Sequence, residues 1–186
     1  NGEVTVPEVK KTEHHSAYVV GYTDGTFGPE RNMTRSEAAA IFARLLADKN
    51  GDNISPVAKT KFSDVPAYAW YSGYVKYLNN NGVTYGNSKT NFAPDKQITR
   101  AEFTTLAVRF FDAYGDGDAE IMEQFKSFDD VSDGYWAAEY IKAAAKHGWI
   151  TGYGDGSFRA DRQITRAEVV TIVNRLLGRA ADLEYV

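Results

Sequence analysis

The 186-residue chain is 43% hydrophobic and carries a net charge of −4. That is enough apolar material for a buried core, and an acidic balance argues against nucleic-acid binding. No apolar run approaches the roughly 18 residues of a membrane-spanning helix, and without cysteine the chain has neither disulfides nor thiolate metal ligands.

Asn1 to Lys11 lacks the basic-then-apolar pattern of a signal peptide, so either a leader has been removed or the chain is a fragment. The first element is a loop, Gly21-Tyr22-Thr23-Asp24-Gly25-Thr26-Phe27, whose Asp-Gly pair signals a tight turn and whose Phe27 is expected to enter the core. Thr34-Arg35-Ser36-Glu37 follows and opens a helix with Ala38, Ile41, Phe42, Leu45 and Leu46 on one face. A polar connector, Ala47 to Lys61, leads to Phe62-Ser63-Asp64-Val65. The spacing then predicts a helix from about Trp70 to Asn80, ended by Gly82.

The same order now returns. The second loop reads Gly86-Asn87-Ser88-Lys89-Thr90-Asn91-Phe92, with lysine and threonine where the first has Asp24 and Gly25. Thr99-Arg100-Ala101-Glu102 opens a helix whose stripe is Phe103, Leu106, Ala107, Phe110 and Phe111. After the connector Asp112 to Ser127 come Phe128-Asp129-Asp130-Val131 and a helix from about Tyr135 to Lys146, ended by Gly148. The third loop, Gly152-Tyr153-Gly154-Asp155-Gly156-Ser157-Phe158, precedes Thr165-Arg166-Ala167-Glu168 and a helix built on Val169, Ile172, Val173, Leu176 and Leu177. An arginine stands ten positions after each threonine: Arg44, Arg109 and Arg175.

Three repeats of about 65 residues result, over 1–48, 62–112 and 128–178. The register puts the first Phe-x-Asp-Val before residue 1, so either residues 4–16 replace that repeat's first helix or a segment beyond Val186 supplies it. A two-helix unit has one apolar face and cannot bury it alone. The expected fold is all-α: three helix-loop-helix repeats packed about a pseudo-threefold axis, with an open solenoid as the other solution.

Phe-Ser-Asp-Val, then tryptophan, then Gly-Tyr-Gly-Asp-Gly-Ser-Phe, then Ile-Thr-Arg-Ala-Glu strongly resembles the S-layer homology repeat, over roughly residues 14–178. The resemblance implies a three-pronged, monomeric pseudo-trimer whose grooves bind secondary cell-wall polysaccharide, often pyruvylated. It also implies an extracellular place at the bacterial cell wall or S-layer, non-covalent anchoring of an exported protein, and no enzymatic activity. Binding to peptidoglycan, or a lattice role without specific glycan, is the alternative.

Thr-x-x-Glu before an apolar run is a capping box, which accounts for Thr34, Thr99, Thr165, Glu37, Glu102 and Glu168. The arginines Arg35, Arg100 and Arg166 have no such account, because a cation at the first helical turn opposes the helix dipole. Either they hold an anion beside a helix N-terminus, as a pyruvate-ketal carboxylate would require, or they bridge to a carboxylate of a neighbouring repeat. Asp24, Gly25, Asp155 and Gly156 are further candidate ligand-binding residues at the loop tips. Trp70 and Trp136 are candidates for stacking on sugar faces, with inter-repeat packing as the alternative; Trp149 is expected in the core. The altered second loop makes the three grooves unequal.

Two rival readings carry less. Asp64, Asp129, Asp130 and Glu139 could serve a glycoside hydrolase, but the recurring acids are explained by caps and turns, and His14, His15 and His147 do not recur. Asp112, Asp116, Gly117, Asp118 and Glu123 fall on calcium-loop positions, with Tyr114 where an oxygen ligand belongs. No metal or cofactor is expected.

Overall fold

The computed structural model describes residues 17–115 and 127–179. Five helices lie within them: α1 (Arg35–Asn50), α2 (Ser72–Asn80), α3 (Arg100–Tyr114), α4 (Ala138–Lys146) and α5 (Arg166–Leu176). Among the described residues the only β pairing is three isolated bridges. The fold is all-α.

All three long helices open with the expected capping box. Thr34, Thr99 and Thr165 sit in extended backbone, accept the amide of the glutamate three residues on, and have their own amides accepted by that glutamate. The short helices begin later than periodicity suggests, at Ser72 and Ala138. Successive tight turns lead into them: Ala69 N–H bonds to Pro66 and Ser72 to Ala69, while Tyr135 bonds to Ser132 and Ala138 to Tyr135. Trp70 and Trp136 therefore stand on turns ahead of the helices.

Packing alternates long and short helices. α1 packs on α2 and α3, and α3 packs on α4 and α5. The predicted stripes form one core, with Phe42 between Phe103 (5.2 Å) and Phe110 (5.0 Å), and Trp149 is buried in it.

The repeats interlock through the residues before each long helix. Met33 N–H donates to Ile164, Ile164 to Ile98, and Ile98 to Met33, a closed cycle of 2.9–3.1 Å hydrogen bonds. A second cycle surrounds it: the amides of Arg35 and Ser36 donate to Lys96 and Pro94, those of Arg100 and Ala101 to Arg162 and Ala160, and those of Arg166 and Ala167 to Arg31 and Pro29. Repeat three is thus joined back to repeat one, which an open solenoid would not do. The first-turn N–H groups, left over in an isolated helix, are consumed by the next repeat.

The Phe-x-Asp-Val segment fixes the loop of its own repeat. Asp64 accepts the amides of Phe92 (2.8 Å) and Ala93 (2.6 Å), and Asp130 those of Phe158 and Arg159 (both 2.7 Å). Ala93 and Arg159 are thereby held at φ 58° and 57°, a region a β-carbon disfavours. Phe62 packs on Phe92 and Phe128 on Phe158. Repeat one differs. Phe158 is fully buried, but Phe27, expected in the core, is 40% exposed, because among the described residues no such pair of phenylalanine and aspartate covers it. Glycine, Gly28, takes the left-handed position there. Residues 4–16 and the calcium-loop positions Asp116, Gly117, Asp118 and Glu123 lie outside the described residues.

Candidate functional site in the grooves between repeats

Each long helix begins with an arginine that reaches into the loop of the next repeat. Arg35 Nε donates to Phe92 O (2.8 Å), Arg100 Nε to Phe158 O (2.9 Å) and Arg166 Nε to Phe27 O (2.9 Å). Each guanidinium also lies 4.6–5.1 Å from the ring of that same phenylalanine. Only 4–6% of their surface is exposed, and burial pulls the Arg35 and Arg100 guanidinium groups below their ordinary basicity, against nearby carboxylates that support it. In every copy Nε bonds a carbonyl of the neighbouring repeat rather than a carboxylate. A carboxylate bridge is made only by a terminal nitrogen, from Arg100 to Glu168 (3.0 Å) and more loosely from Arg35 to Glu102 (3.7 Å). The N-terminal amides, committed to the neighbouring repeat, offer no anion site of their own.

Beside each arginine runs an open groove. The first joins Arg166 to Gly21, Tyr22, Glu37, Arg44 and Trp70; the second joins Arg35 to Gly86, Asn87, Glu102, Arg109 and Trp136; the third joins Arg100 to Gly152, Tyr153, Glu168, Thr171 and Arg175. Their volumes are about 170, 290 and 260 Å³, short of the roughly 300–1,000 Å³ of enclosed small-molecule pockets. They suit one face of a polymer residue better than a swallowed ligand. The recurring elements are two arginines, a glutamate and a loop glycine. Trp70 and Trp136, 55% and 57% exposed, add a bare aromatic face to two of them.

The S-layer homology domain profile matches residues 9–39, 61–104 and 127–170, most of the chain and in the register of these grooves. The chain belongs to the S-layer homology domain family. Its relatives include the cellulosome-anchoring protein of Acetivibrio thermocellus, 38% identical over 94% of this chain and 38% of that protein. A surface-layer 125 kDa protein of Lysinibacillus sphaericus is 32% identical over 86% of the chain and 13% of its own length. An amylopullulanase of Thermoanaerobacterium thermosulfurigenes is 30% identical over 96% and 9%. The chain thus spans well under half the length of each.

Within the S-layer homology grooves, the expected site residues are brought together only in part. Arg35, Arg100 and Arg166 line one groove each, and Trp70 and Trp136 the first two. Asp24, Gly25, Asp155 and Gly156 do not appear in any of these linings. Asp24 instead accepts the amide and hydroxyl of Thr26, and Asp155 those of Ser157 together with Arg159 (2.8 Å). The Asp24 and Asp155 carboxyls are held below the ordinary range by the Thr26 and Ser157 hydroxyls. Gly25 and Gly156 supply the positive φ of the turn.

Arg44, Arg109 and Arg175 had no role assigned from sequence. Their spacing carried one: Glu37, Ile41 and Arg44 stand at i, i+4 and i+7, so glutamate and arginine share a helix face. Arg44 lies over Tyr74 at 5.0 Å, and Arg109 over Tyr85 and Tyr140 at 4.8 and 4.9 Å. Among the described residues no group of three or more His, Cys, Asp or Glu is arranged to hold a metal.

Proposed function

We propose that this chain is a non-catalytic module that anchors an exported protein non-covalently to the bacterial cell wall, binding an acidic, pyruvylated secondary wall polysaccharide in the grooves between its repeats. The observation that carries the reading is the pairing of two guanidinium groups in one groove with an exposed tryptophan on its rim. Guanidinium matches a carboxylate in a bidentate fork, and the indole offers an apolar face to a sugar ring. The hydrogen-bond cycles support a monomeric pseudo-threefold unit.

The relatives favour a portable binding role. A cellulosome-anchoring protein, a surface-layer protein and an amylopullulanase each match this chain over a minor part of their length. Chemistry supplied elsewhere in such chains would leave the shared part to attach them. The acids that recur here are engaged in structure: Asp64 and Asp130 clamp loop amides, and Glu37, Glu102 and Glu168 cap helices.

The test is co-sedimentation with purified wall polymer before and after mild acid removal of its ketals. Strong retention before treatment and loss after it is expected. Equal retention by the stripped polymer would overturn the acidic-glycan reading in favour of neutral glycan or peptidoglycan. Release of reducing ends would overturn the non-catalytic one.

A further inference from the structure

Four positions recur around each groove but are connected differently. They are the arginine from the neighbouring repeat, the capping-box glutamate, the basic residue three places before the threonine, and the residue after the loop glycine. In the third groove they form one network. Glu168 Oε1 accepts from Arg100 (3.0 Å), Arg162 (2.9 Å) and the Tyr153 hydroxyl (2.8 Å), and its other oxygen holds the Thr165 amide. In the second groove the network is partial: Lys96 pairs with Glu102 at 2.9 Å, Arg35 stands 3.7 Å away, and Asn87 replaces the tyrosine.

The first groove has no such network. Arg31 lies over the Tyr22 ring at 4.3 Å, makes no ion pair with a described carboxylate, and acts only at longer range on Asp24 at the loop tip. Glu37 is engaged in its cap. Arg166 spends Nε and one terminal nitrogen on the carbonyls of Phe27 and Val20, and no described carboxylate lies within ion-pair distance of it or of Arg44.

We propose that the three grooves are unequal acceptors: the acidic substituent is taken first in the groove of Arg166, Arg44 and Trp70, less readily in that of Arg35, and not in that of Arg100, where the chain's own Glu168 already occupies the place of a ligand carboxylate. The inference rests on the groove-binding reading above and assigns it a site. Arg44, Arg109 and Arg175 have no described carboxylate within ion-pair distance in any groove, so the grooves differ at the helix-start arginine. An incoming carboxylate gains most where that arginine lacks an anionic partner, as Arg166 does. Beside Glu168 it must meet a like charge or break three charge-assisted hydrogen bonds. The inequality therefore arises from the glutamate, the basic residue and the tyrosine, whereas the Asp-to-Lys change at the second loop's tip lies off the grooves.

The loop glycines Gly21, Gly86 and Gly152 line one groove each, so their backbone amides report the grooves separately by ¹⁵N NMR. The probe is a hexosamine methyl glycoside bearing a 4,6-pyruvate ketal, with its methyl ester as the neutral control. In the wild-type chain Gly21 should titrate first, Gly86 at about tenfold higher concentration, and Gly152 should not move. Glu168→Gln keeps the capping hydrogen bond, since glutamine serves that position as well, and should make Gly152 titrate with the acid but not the ester. If Gly152 moves together with Gly21 in the wild type, or stays still in Glu168→Gln, the unequal-groove inference falls while groove binding stands. If no glycine responds to the acid, groove binding itself falls, and the inference with it.

Discussion

At the scale of single residues, the least expected feature is a carboxylate that holds two adjacent amides, one of them on a residue in a disfavoured backbone. Asp130 accepts two amides, one from Arg159 in the left-handed region, and Asp64 does the same for Ala93. Asp130→Ala is expected to cost about 1–3 kcal/mol, because two charge-assisted hydrogen bonds are lost, one of them to the part-buried Phe158 amide. Ala93→Gly should instead stabilise by about 0.5–1 kcal/mol by removing the β-carbon penalty. Urea unfolding checks both, and a stabilising Asp130→Ala would refute the clamp. Glu168 carries a pH signature. Burial alone would raise its carboxyl, but the Thr165 amide, the Tyr153 hydroxyl, Arg100 and Arg162 together hold it below its ordinary value. A carboxyl depressed in the folded state adds stability above its unfolded value, about 4.3, and that share disappears as pH falls through the folded value. Stability should therefore drop more steeply on acidification in the wild type than in Glu168→Gln, as measured by urea midpoints across the acid range.

At the scale of elements, two adjacent residues at one helix start do different jobs. Thr99 caps its own helix, and Thr99→Ala should cost about 1 kcal/mol. Arg100 ties that helix to the next repeat's loop, and Arg100→Ala leaves the Phe158 carbonyl and Glu168 without a principal partner. Its expected cost is larger, about 2–4 kcal/mol. Thermal melts of the two variants should rank in that order. It follows that alanine at Arg35, Arg100 and Arg166 perturbs folding as well as binding, so charge changes at the grooves are better made through Glu168.

At the scale of the molecule, the hydrogen-bond cycles predict that the three repeats unfold as one cooperative unit. Ile164 is fully buried at the centre of the inner cycle, and Ile164→Ala should cost about 2–5 kcal/mol. Because its neighbours Met33 and Ile98 belong to other repeats, all three should weaken together. Far-ultraviolet circular dichroism and tryptophan fluorescence should then give one coincident transition, and separate midpoints would show that the repeats unfold independently.

What the sequence determined by itself was everything local or periodic. Capping boxes, helix stripes and glycine stops depend on residues a few places apart, so Thr99 with Glu102, or Phe103 with Leu106, already specify a helix and its buried side. The arginine was visible as an oddity at a helix start, and Arg44 as a recurrence on the Glu37 face. Only the tertiary structure decided which repeat each arginine reaches, that the helix-start amides are already taken, and that Phe27 stands exposed while Phe158 is buried. It also decided that the loop-tip aspartates close their own turns away from the grooves. These outcomes depend on contacts across some 57 to 146 residues, where no spacing rule operates and the partner is selected by how three apolar faces close on one another.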